Sequence, residues 1–263
     1  MTGNTFAALN RTFAKIYVIT LERAKDRQAQ FQKSLAGIDY EVVYGVDKQV
    51  LSFETLRYAG DYHRERAMKL NRYVIERELT LGQIACSLSH RSIYERMVNN
   101  GIENALIFED DAIPIAANLH RLEATLNDLP NSWELVYLGY TTHEKPISKS
   151  REWLYNSLYS VWHGHKYRWR AKDVPYLFPR EYSQNLYLAG YHDCTHAYAL
   201  NLNAAKKLFD LQRPVVYCAD SALTHLITRH RLNAFAARAK FFDQADFALG
   251  HDGSTSYVVG KEG

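Results

Sequence analysis

A short apolar run in the first half of the chain constrains the fold more than any other feature. Residues 104–108 read NALIF, and they follow a long amphipathic pattern that stops at Asn99-Asn100-Gly101. A largely apolar run of this length is typical of a central strand that is covered on both faces. Because such strands lie in sheets with helices on both sides, the run predicts an α/β fold.

Strand-like and helix-like segments alternate around this run. Thr80 and Gln83 have the spacing of a capping box, and Ser52 is a residue type that favours the N-cap. The alternation predicts a mostly parallel sheet flanked by helices, in a single domain over residues 1–263. The predicted strands are 15–21, 40–44, 104–108, 133–140 and 196–200, and the predicted helices are 23–36, 52–70, 80–100, 118–129, 203–211 and 220–228.

The composition argues against several classes of protein. The net charge of +3 is too small to indicate nucleic-acid binding. The three cysteines include no C-x-x-C pair, which argues against a disulfide framework and against a zinc site. The first residues lack a long apolar run, so no signal peptide or membrane-spanning helix is predicted, and a cytoplasmic location is expected.

Three acidic residues follow the NALIF strand. Glu109, Asp110 and Asp111 lie at its predicted carboxyl end, where open α/β sheets bind their ligands. Carboxylate oxygens suit Mg²⁺ or Mn²⁺, and such an ion bridges a nucleotide diphosphate. Strand alternation predicts that Glu109 and Asp111 face one side while Asp110 points away or bonds the loop. The alternative is a solvated acidic turn, which is common after any strand.

Three sequence blocks carry a resemblance to a known family. Residues 78–112 (ELTLGQIACSLSHRSIYERMVNNGIENALIFEDDA) resemble the T-x-G-E-x-G-C-x-x-S-H block, the helix and the acidic triplet of glycosyltransferase family 25. Residues 17–27 (YVITLERAKDR) are similar to the family's first strand and Arg-rich turn, and residues 193–209 (DCTHAYALNLNAAKKLF) to its G-T-H-A-Y block. Gln83 and Ala85 depart from the usual Glu and Gly, although a capping role tolerates Gln83.

The resemblance implies a GT-A-like (Rossmann-like) fold and a UDP-sugar donor, most often UDP-galactose and otherwise UDP-glucose. It also implies an inverting, metal-dependent reaction on a lipooligosaccharide or lipopolysaccharide acceptor. Glu109 and Asp111 are then the expected ligands of Mn²⁺ or Mg²⁺. His251 is a further candidate ligand in a polar tail that could fold over the donor, although a solvated tail explains the same sequence.

Inversion requires a base that takes the proton from the attacking sugar hydroxyl. Asp220 is the first candidate, because its block follows the T-H-A-Y strand as it does in the family. Asp220 suits the N-cap of its helix equally well, with Ser221 as the alternative cap. Asp193 is the second candidate for the base.

Residues near the first two strands are expected to contact the nucleotide. Thr20, Arg23 and Arg27 end or follow the first strand, where the uridine and its phosphates would lie. Solvent-facing arginines on a helix would give the same pattern. Asp47 corresponds to the family's A-x-D-G turn, in which Lys48 here replaces the usual Gly.

Ser89, His90 and Asp110 complete the residues expected at the nucleotide-sugar. Ser89 and His90 lie on the helix that precedes the acidic strand. His90 would donate a hydrogen bond to a diphosphate oxygen, or it would orient the metal ligand Asp111 without binding the metal itself. The alternative is a buried structural histidine.

The strand–helix alternation stops between residues 143 and 182. This segment holds three of the four tryptophans, and it carries eight Lys or Arg against four Asp or Glu. It is expected to be an aromatic and basic insertion near the acceptor site, or a surface in peripheral contact with the inner membrane. An ordinary subdomain with its own core fits the same sequence.

Two other functions compete with sugar transfer. A catalytically silent protein that binds a nucleotide-sugar or a glycan would have the same fold. A metal-dependent phosphoesterase usually needs a second metal and further clustered ligands, whereas one carboxylate cluster stands out in this sequence.

Overall fold

The computed structural model describes residues 6–71, 78–162 and 171–245. The α-helices are α1 Ala7–Thr12, α2 Lys25–Ser34, α3 Phe53–Ala59, α4 Arg64–Asn71, α5 Leu81–Asn100, α6 Leu122–Asn127, α7 Lys149–Trp162, α8 Leu202–Leu211 and α9 Ala219–Thr228. The strands are β1 Lys15–Thr20, β2 Glu41–Tyr44, β3 Asn104–Glu109, β4 Ala112–Pro114, β5 Leu135–Thr141, β6 Arg180–Glu181, β7 Leu186–Leu188, β8 Asp193–Asn201, β9 Ala234–Ala237 and β10 Phe242–Gln244. Short 3₁₀ helices span Lys48–Val50, Ala116–Arg121 and Ala171–Tyr176.

An eight-stranded mixed sheet organises the described residues. Its strand order is β2-β1-β3-β8-β5-β9-β7-β6. Strand β8 is antiparallel to both β3 and β5, and β7 is antiparallel to β9 and β6. The other six strands run in one direction, since β1 is parallel to β2 and β3 and β5 is parallel to β9. The expected α/β class, a mostly parallel sheet flanked by helices, is confirmed.

Both faces of the central strands are buried. Along β3, Ala105 and Ile107 belong to the apolar cluster that includes residues of α5, α8 and α9. Leu106 and Phe108 belong to the cluster on the opposite face, which includes residues of α1, α2 and α6. Because all four side chains are fully buried, the apolar run predicts the position of this strand correctly.

Helix caps set the ends of the longest helix. Thr80 and Gln83 form a reciprocal capping box at the start of α5, and Gly101 ends the helix in the left-handed conformation (φ 63°). Gln83 therefore has a capping role. The single helix expected over residues 52–70 is instead two helices, because Gly60 adopts φ 70° and terminates α3.

Helix α7 was not expected within residues 143–182. Its Tyr155 and Tyr159 pack against a small apolar cluster that includes Val174 and Phe178. Apolar side chains on other faces of α7 stay exposed. The apolar residues therefore do not form the single stripe that predicts an amphipathic helix from sequence. These exposed residues are Trp153, Leu154, Leu158 and Val161. Within the described ranges, no helix combines the length and the apolar character that crossing a bilayer requires.

Candidate active site

The acidic triplet lies at the end of β3. The strand stops at Glu109, and Asp110 and Asp111 form the turn that leads into β4. Asp110 is buried and accepts hydrogen bonds from Thr20 Oγ1 (2.7 Å) and Arg27 Nη1 (2.8 Å). Burial raises the pKa of Asp110, and the charge of Arg27 opposes that rise. Asp110 thereby connects the end of β3 to the end of β1 and to α2.

Asp111 has different hydrogen-bond partners from Glu109. Its Oδ2 accepts a 3.3 Å hydrogen bond from Gln244 Nε2 on β10 and lies 3.9 Å from Arg27 Nη1. Its carbonyl oxygen accepts a hydrogen bond from the backbone of Ala245 (2.8 Å). The prediction that Glu109 and Asp111 face one side requires strand alternation to continue through Asp111. The strand ends at Glu109, so alternation does not decide where Asp111 points.

Glu109 is held by two donors from neighbouring elements. Its Oε1 accepts a hydrogen bond from the Thr195 hydroxyl on β8 and lies 3.3 Å from His90 Nε2 on α5. Burial raises the pKa of Glu109, but the interactions with His90 and Thr195 outweigh burial, and the net effect lowers the pKa. Thr195 reaches Glu109 because β8 runs antiparallel and begins at the edge where β3 ends.

His90 is fully buried and has a partner on each ring nitrogen. Nδ1 lies 2.8 Å from the Tyr198 hydroxyl, which lies 2.8 Å from the Tyr94 hydroxyl. Nε2 faces Glu109. The carboxylate that His90 contacts is therefore Glu109 and not Asp111, because Glu109 is the last residue of the strand beside α5.

Ser89 connects α5 to the loop after β2. Its Oγ accepts a 2.8 Å hydrogen bond from the Val46 backbone and donates one to the Ala85 carbonyl (2.8 Å). A Cβ on Gly45 would lie 2.6 Å from this oxygen, so the glycine is needed for the close approach. Ser89 is buried, and these contacts give it a structural role, while the nucleotide contact stays a prediction.

Asp47 and Arg23 form an ion pair beside the same loop. Arg23 donates to both carboxylate oxygens of Asp47, and Asp47 Oδ1 also accepts from the Gln49 backbone (3.0 Å). The hydrogen bond from Arg23 is the main cause of a lowered pKa for Asp47. This pair orders the loop that follows β2, next to the end of β1.

Asp220 lies in the first turn of α9, but it is not the N-cap. Cys218 occupies the cap position, so neither Asp220 nor Ser221 has the capping role considered for it. Asp220 Oδ1 accepts from Cys218 Sγ (2.9 Å) and the Ser221 backbone (2.6 Å), and Oδ2 accepts from the Cys194 backbone (3.5 Å). Burial is the main cause of the raised pKa of Asp220.

Asp193 is adjacent to this carboxylate at the start of β8. Its Oδ2 accepts a 2.6 Å hydrogen bond from Thr142 Oγ1, and its negative charge contributes to the raised pKa of Asp220. Three residues around it have left-handed backbones: Thr142 (φ 58°), His143 (φ 48°) and Cys194 (φ 68°). Such strain in non-glycine residues concentrates at functional sites, which favours this corner as part of one.

Cys86 lies among these acids, and sequence reasoning did not select it. Burial raises the pKa of its thiol well above the usual value, and the charges of Glu109, Asp220 and Asp111 add to the effect. The ligand atoms of Cys86, His90 and Glu109 all lie within 4.8 Å of one another. The four-residue spacing of Cys86 and His90 on α5 is the sequence signal that could have revealed this group.

The structure thus divides the expected residues between two neighbouring parts of one edge. Thr20, Arg27, Asp110 and Asp111 form one contact group, and Arg23 pairs with Asp47 in the loop that follows β2. Glu109 and His90 form a second group with Thr195, and Asp193 and Asp220 are electrostatic neighbours. His251 lies outside the described residues.

Comparison with known proteins identifies related sequences. The family model "Glycosyltransferase family 25 (LPS biosynthesis protein)" matches residues 13–223. The human protein named "Inactive glycosyltransferase 25 family member 3" is 31% identical over 206 residues, covering 76% of this chain and 29% of that protein. "Glycosyltransferase 25 family member" of Aedes aegypti is 28% identical over 208 residues, covering 74% and 28%. "Procollagen galactosyltransferase 2" of Mus musculus is 29% identical over 132 residues, covering 48% and 21%.

The chain spans less than a third of the length of these curated relatives. Among solved structures, mouse xyloside xylosyltransferase 1 in its apo form is similar with a TM-score of 0.37 and 13% identity. That alignment covers 89% of this chain and 72% of the xylosyltransferase.

Proposed function

Because the chain belongs to glycosyltransferase family 25, we propose that it transfers a hexose from a UDP-sugar to a saccharide acceptor with inversion. Galactose is the first candidate, since two relatives are named procollagen galactosyltransferases, and glucose is the second. The proposed acceptor is a lipooligosaccharide or lipopolysaccharide saccharide, in keeping with the description of the matching family. The proposed location is cytoplasmic.

The observation that carries this proposal is that acids from three elements are electrostatic neighbours at one edge of the sheet. Glu109 and Asp111 come from the end of β3, Asp193 from the start of β8 and Asp220 from the first turn of α9. The charges of Glu109, Asp111 and Asp220 raise the pKa of the Cys86 thiol. The charge of Asp193 raises the pKa of Asp220. Transfer from a nucleotide diphosphate needs carboxylates in two roles, as ligands of a cation and as a base.

The donor set fits a hard divalent cation. Glu109 and Asp111 offer carboxylate oxygens, the ligand type that Mn²⁺ and Mg²⁺ prefer. We assign these two residues as its ligands, with His251 as a further candidate. When bound, the ion would neutralise charge on the diphosphate leaving group. Thr20 and Arg27 would hold Asp110 in the turn beside the donor phosphates.

Asp220 is the proposed base. Its raised pKa brings the carboxylate closer to the range in which it accepts a proton from a sugar hydroxyl effectively. The hydrogen bonds from Cys218, Ser221 and Cys194 hold it in one orientation. Asp193 is the second candidate, because it lies beside Asp220 in the corner with strained backbone.

The acceptor is proposed to approach from the side of residues 143–182. Exposed Trp153, Leu154 and Val161 on α7 support a peripheral contact with the inner-membrane surface, where a lipid-linked acceptor lies. Sedimentation with anionic vesicles tests this contact. Binding that is unchanged when Trp153 and Val161 are replaced by Ser would exclude α7 as the contact surface.

A catalytically silent protein that binds a nucleotide-sugar or a glycan is the second candidate. Its support comes from the relatives that are named inactive and from Arg27, which neutralises Asp110 and approaches Asp111. An acidic triplet that is balanced by a protein cation has less charge to offer a metal ion.

A donor-hydrolysis screen decides between these functions. UDP release is measured from UDP-galactose, UDP-glucose and their N-acetyl forms, with Mn²⁺ or EDTA and with or without lipooligosaccharide. We expect Mn²⁺-dependent release from one donor, loss of it in Asp111→Ala, and retention in Asp210→Ala, which removes an exposed carboxylate on α8. UDP binding without turnover of any donor would instead support the silent protein. The absence of both UDP binding and donor turnover would reject both functions.

A further inference from the structure

Helix α5 presents three polar side chains along one face. Cys86, His90 and Tyr94 are spaced four residues apart, so they lie above one another on the helix. His90, the middle residue of the three, faces Glu109 at the end of β3. Two potential metal ligands on one helix turn and a third from an adjacent strand form a common arrangement for a bound transition metal.

The distances within this group suit a small tetrahedral ion. His90 Nε2 and Glu109 Oε1 are 3.3 Å apart, and Cys86 Sγ lies within 4.8 Å of both. In a zinc site the ligand atoms are separated by roughly 3.3–3.6 Å, given bond lengths of about 2.0–2.3 Å and tetrahedral angles. The nitrogen and oxygen already have that separation, and the sulfur is near enough to both to join them around one ion.

The second ring nitrogen of His90 has the partner that a metal-binding histidine needs. Nδ1 lies 2.8 Å from the Tyr198 hydroxyl, and that hydroxyl lies 2.8 Å from the Tyr94 hydroxyl. A histidine that binds metal through Nε2 donates its Nδ1–H to such an acceptor, which fixes the ring orientation. The buried tyrosine pair supplies this acceptor.

The thiol of Cys86 differs from the other two thiols of the chain. Cys194 Sγ accepts from Thr141, and Cys218 Sγ donates to Asp220 and Ser221. Among the described residues, Cys86 Sγ has no hydrogen-bond partner. Cys86 and Glu109 are also partly exposed, so an ion and a water molecule can enter from solvent.

We propose that Cys86, His90 and Glu109 form a binding site for a borderline transition metal of the Zn²⁺ class. Sulfur and imidazole ligands favour Zn²⁺ or Co²⁺ over Mg²⁺ and Mn²⁺. The ion replaces the thiol proton, which passes to solvent, and a water molecule completes four ligands. A site with one cysteine, one histidine and one glutamate needs no C-x-x-C pair, so the lack of such a pair in the sequence does not exclude it.

The site shares Glu109 with the hard cation of the proposed function. Binding of Zn²⁺ therefore withdraws Glu109 from Mn²⁺, and Zn²⁺ acts as an inhibitor of Mn²⁺-supported transfer. The inhibition depends on the proposed function, whereas metal binding by the three side chains does not.

Co²⁺ is the probe that tests the site directly. The full chain, treated with chelator and then titrated with Co²⁺, is expected to develop the near-ultraviolet charge-transfer band of a cobalt–thiolate bond at one equivalent. Cys86→Ala removes the band, and the control Cys218→Ala, which deletes a thiol of similar exposure, retains it. Circular dichroism verifies that each variant is folded. A wild-type protein without the band, or a band that survives in Cys86→Ala, overturns the proposal.

The tyrosine pair gives a second, milder test. Tyr198→Phe is expected to weaken Co²⁺ binding by about 10- to 100-fold, because it removes the outer partner of His90. Tyr137→Phe is the matched control, since Tyr137 is equally buried but its hydroxyl has no hydrogen-bond partner among the described residues. Equal affinities of the two variants would remove the role assigned to Tyr198 and contradict Nε2 ligation by His90.

The outcomes separate this inference from the proposed function. A cobalt–thiolate band in a chain that turns over no donor supports the site and rejects transfer. Mn²⁺-supported transfer without such a band supports the proposed function and rejects the site. With both present, Zn²⁺ must inhibit Mn²⁺-supported UDP release, and an unaffected rate would reject the sharing of Glu109.

Discussion

The guanidinium of Arg27 donates a 2.8 Å hydrogen bond to Asp110 Oδ1, and both side chains are largely buried. Arg27 Nη1 also lies 3.9 Å from Asp111 Oδ2. One residue of α2 therefore balances the charge of two acids in the turn after β3. The charge of Arg27 explains why two adjacent carboxylates are tolerated at the edge of an apolar sheet when no ligand is bound.

Removing Arg27 should destabilise the fold. In Arg27→Met, Asp110 is left as a buried carboxylate without its cation, and we expect a loss of about 2–4 kcal/mol in the free energy of unfolding. The measurement is urea denaturation. Arg11→Met is the control, because the Arg11–Glu123 pair is exposed and is expected to contribute about 0–1 kcal/mol. Equal losses in both variants would contradict the role of the buried pair. Adding Asp110→Asn should recover part of the loss in Arg27→Met.

Asp220 and Asp193 can be distinguished by their amide variants. Asp220→Asn should lower kcat for hexose transfer by about 10²–10⁴ while UDP binding persists, since a base acts on the acceptor and not on the nucleotide. Asp193→Asn should have a smaller effect. If the two effects are reversed, Asp193 is the base.

The pH dependence gives a further test of Asp220. A base must be ionised, so kcat/KM should rise with pH through its pKa. Because burial raises the pKa of Asp220, the acid limb should lie above the usual range of an aspartate. A limb at the ordinary aspartate pKa would argue against Asp220.

Gly139 should not tolerate a side chain. A Cβ at this position in β5 would lie 2.4 Å from His196 Nε2 and 2.7 Å from the Phe242 carbonyl oxygen. We expect Gly139→Ala to lower the free energy of unfolding by about 3 kcal/mol, because neither neighbour can move freely. Gly60→Ala is the comparison: space is open there, and only the left-handed backbone adds a cost of about 1 kcal/mol. Thermal denaturation of both variants measures the difference.

His192 should make the fold sensitive to mild acid. It is fully buried, its Nε2 accepts from the Gly190 backbone, and Nδ1 contacts the Thr142 carbonyl. Burial lowers its pKa to about 3. The folded state therefore excludes a proton that the unfolded chain binds below about pH 6.5, and stability falls as pH falls from there towards 3.

The His192 contribution is measured by comparing wild type with His192→Asn in urea at pH 7.5 and 5.5. The wild type should lose about 1.4 kcal/mol more than the variant between these pH values, because only the wild type carries this titrating ring. Other buried histidines affect both proteins alike. Parallel losses would show that His192 can be protonated without unfolding.

Local sequence patterns predicted the strand and the helix start that are determined by residues close to one another in sequence. The NALIF run became β3, and the capping box of Thr80 and Gln83 begins α5 as its spacing indicates. Caps and apolar periods act within a few residues, so they can be read without the fold. Where a local feature was overlooked, as with Gly60, the prediction failed at that position.

Other outcomes depended on contacts between distant parts of the chain. The sequence by itself determined that an acidic triplet follows a buried strand and precedes further strands and helices. Only the tertiary structure decided that β8 inserts antiparallel between β3 and β5, which brings Thr195 to Glu109 from 86 residues away. Strand direction and side-chain partners are set by hydrogen bonds and packing across the sheet. No local period encodes them, and for that reason the partners of Glu109, Asp110 and Asp111 emerged from the fold.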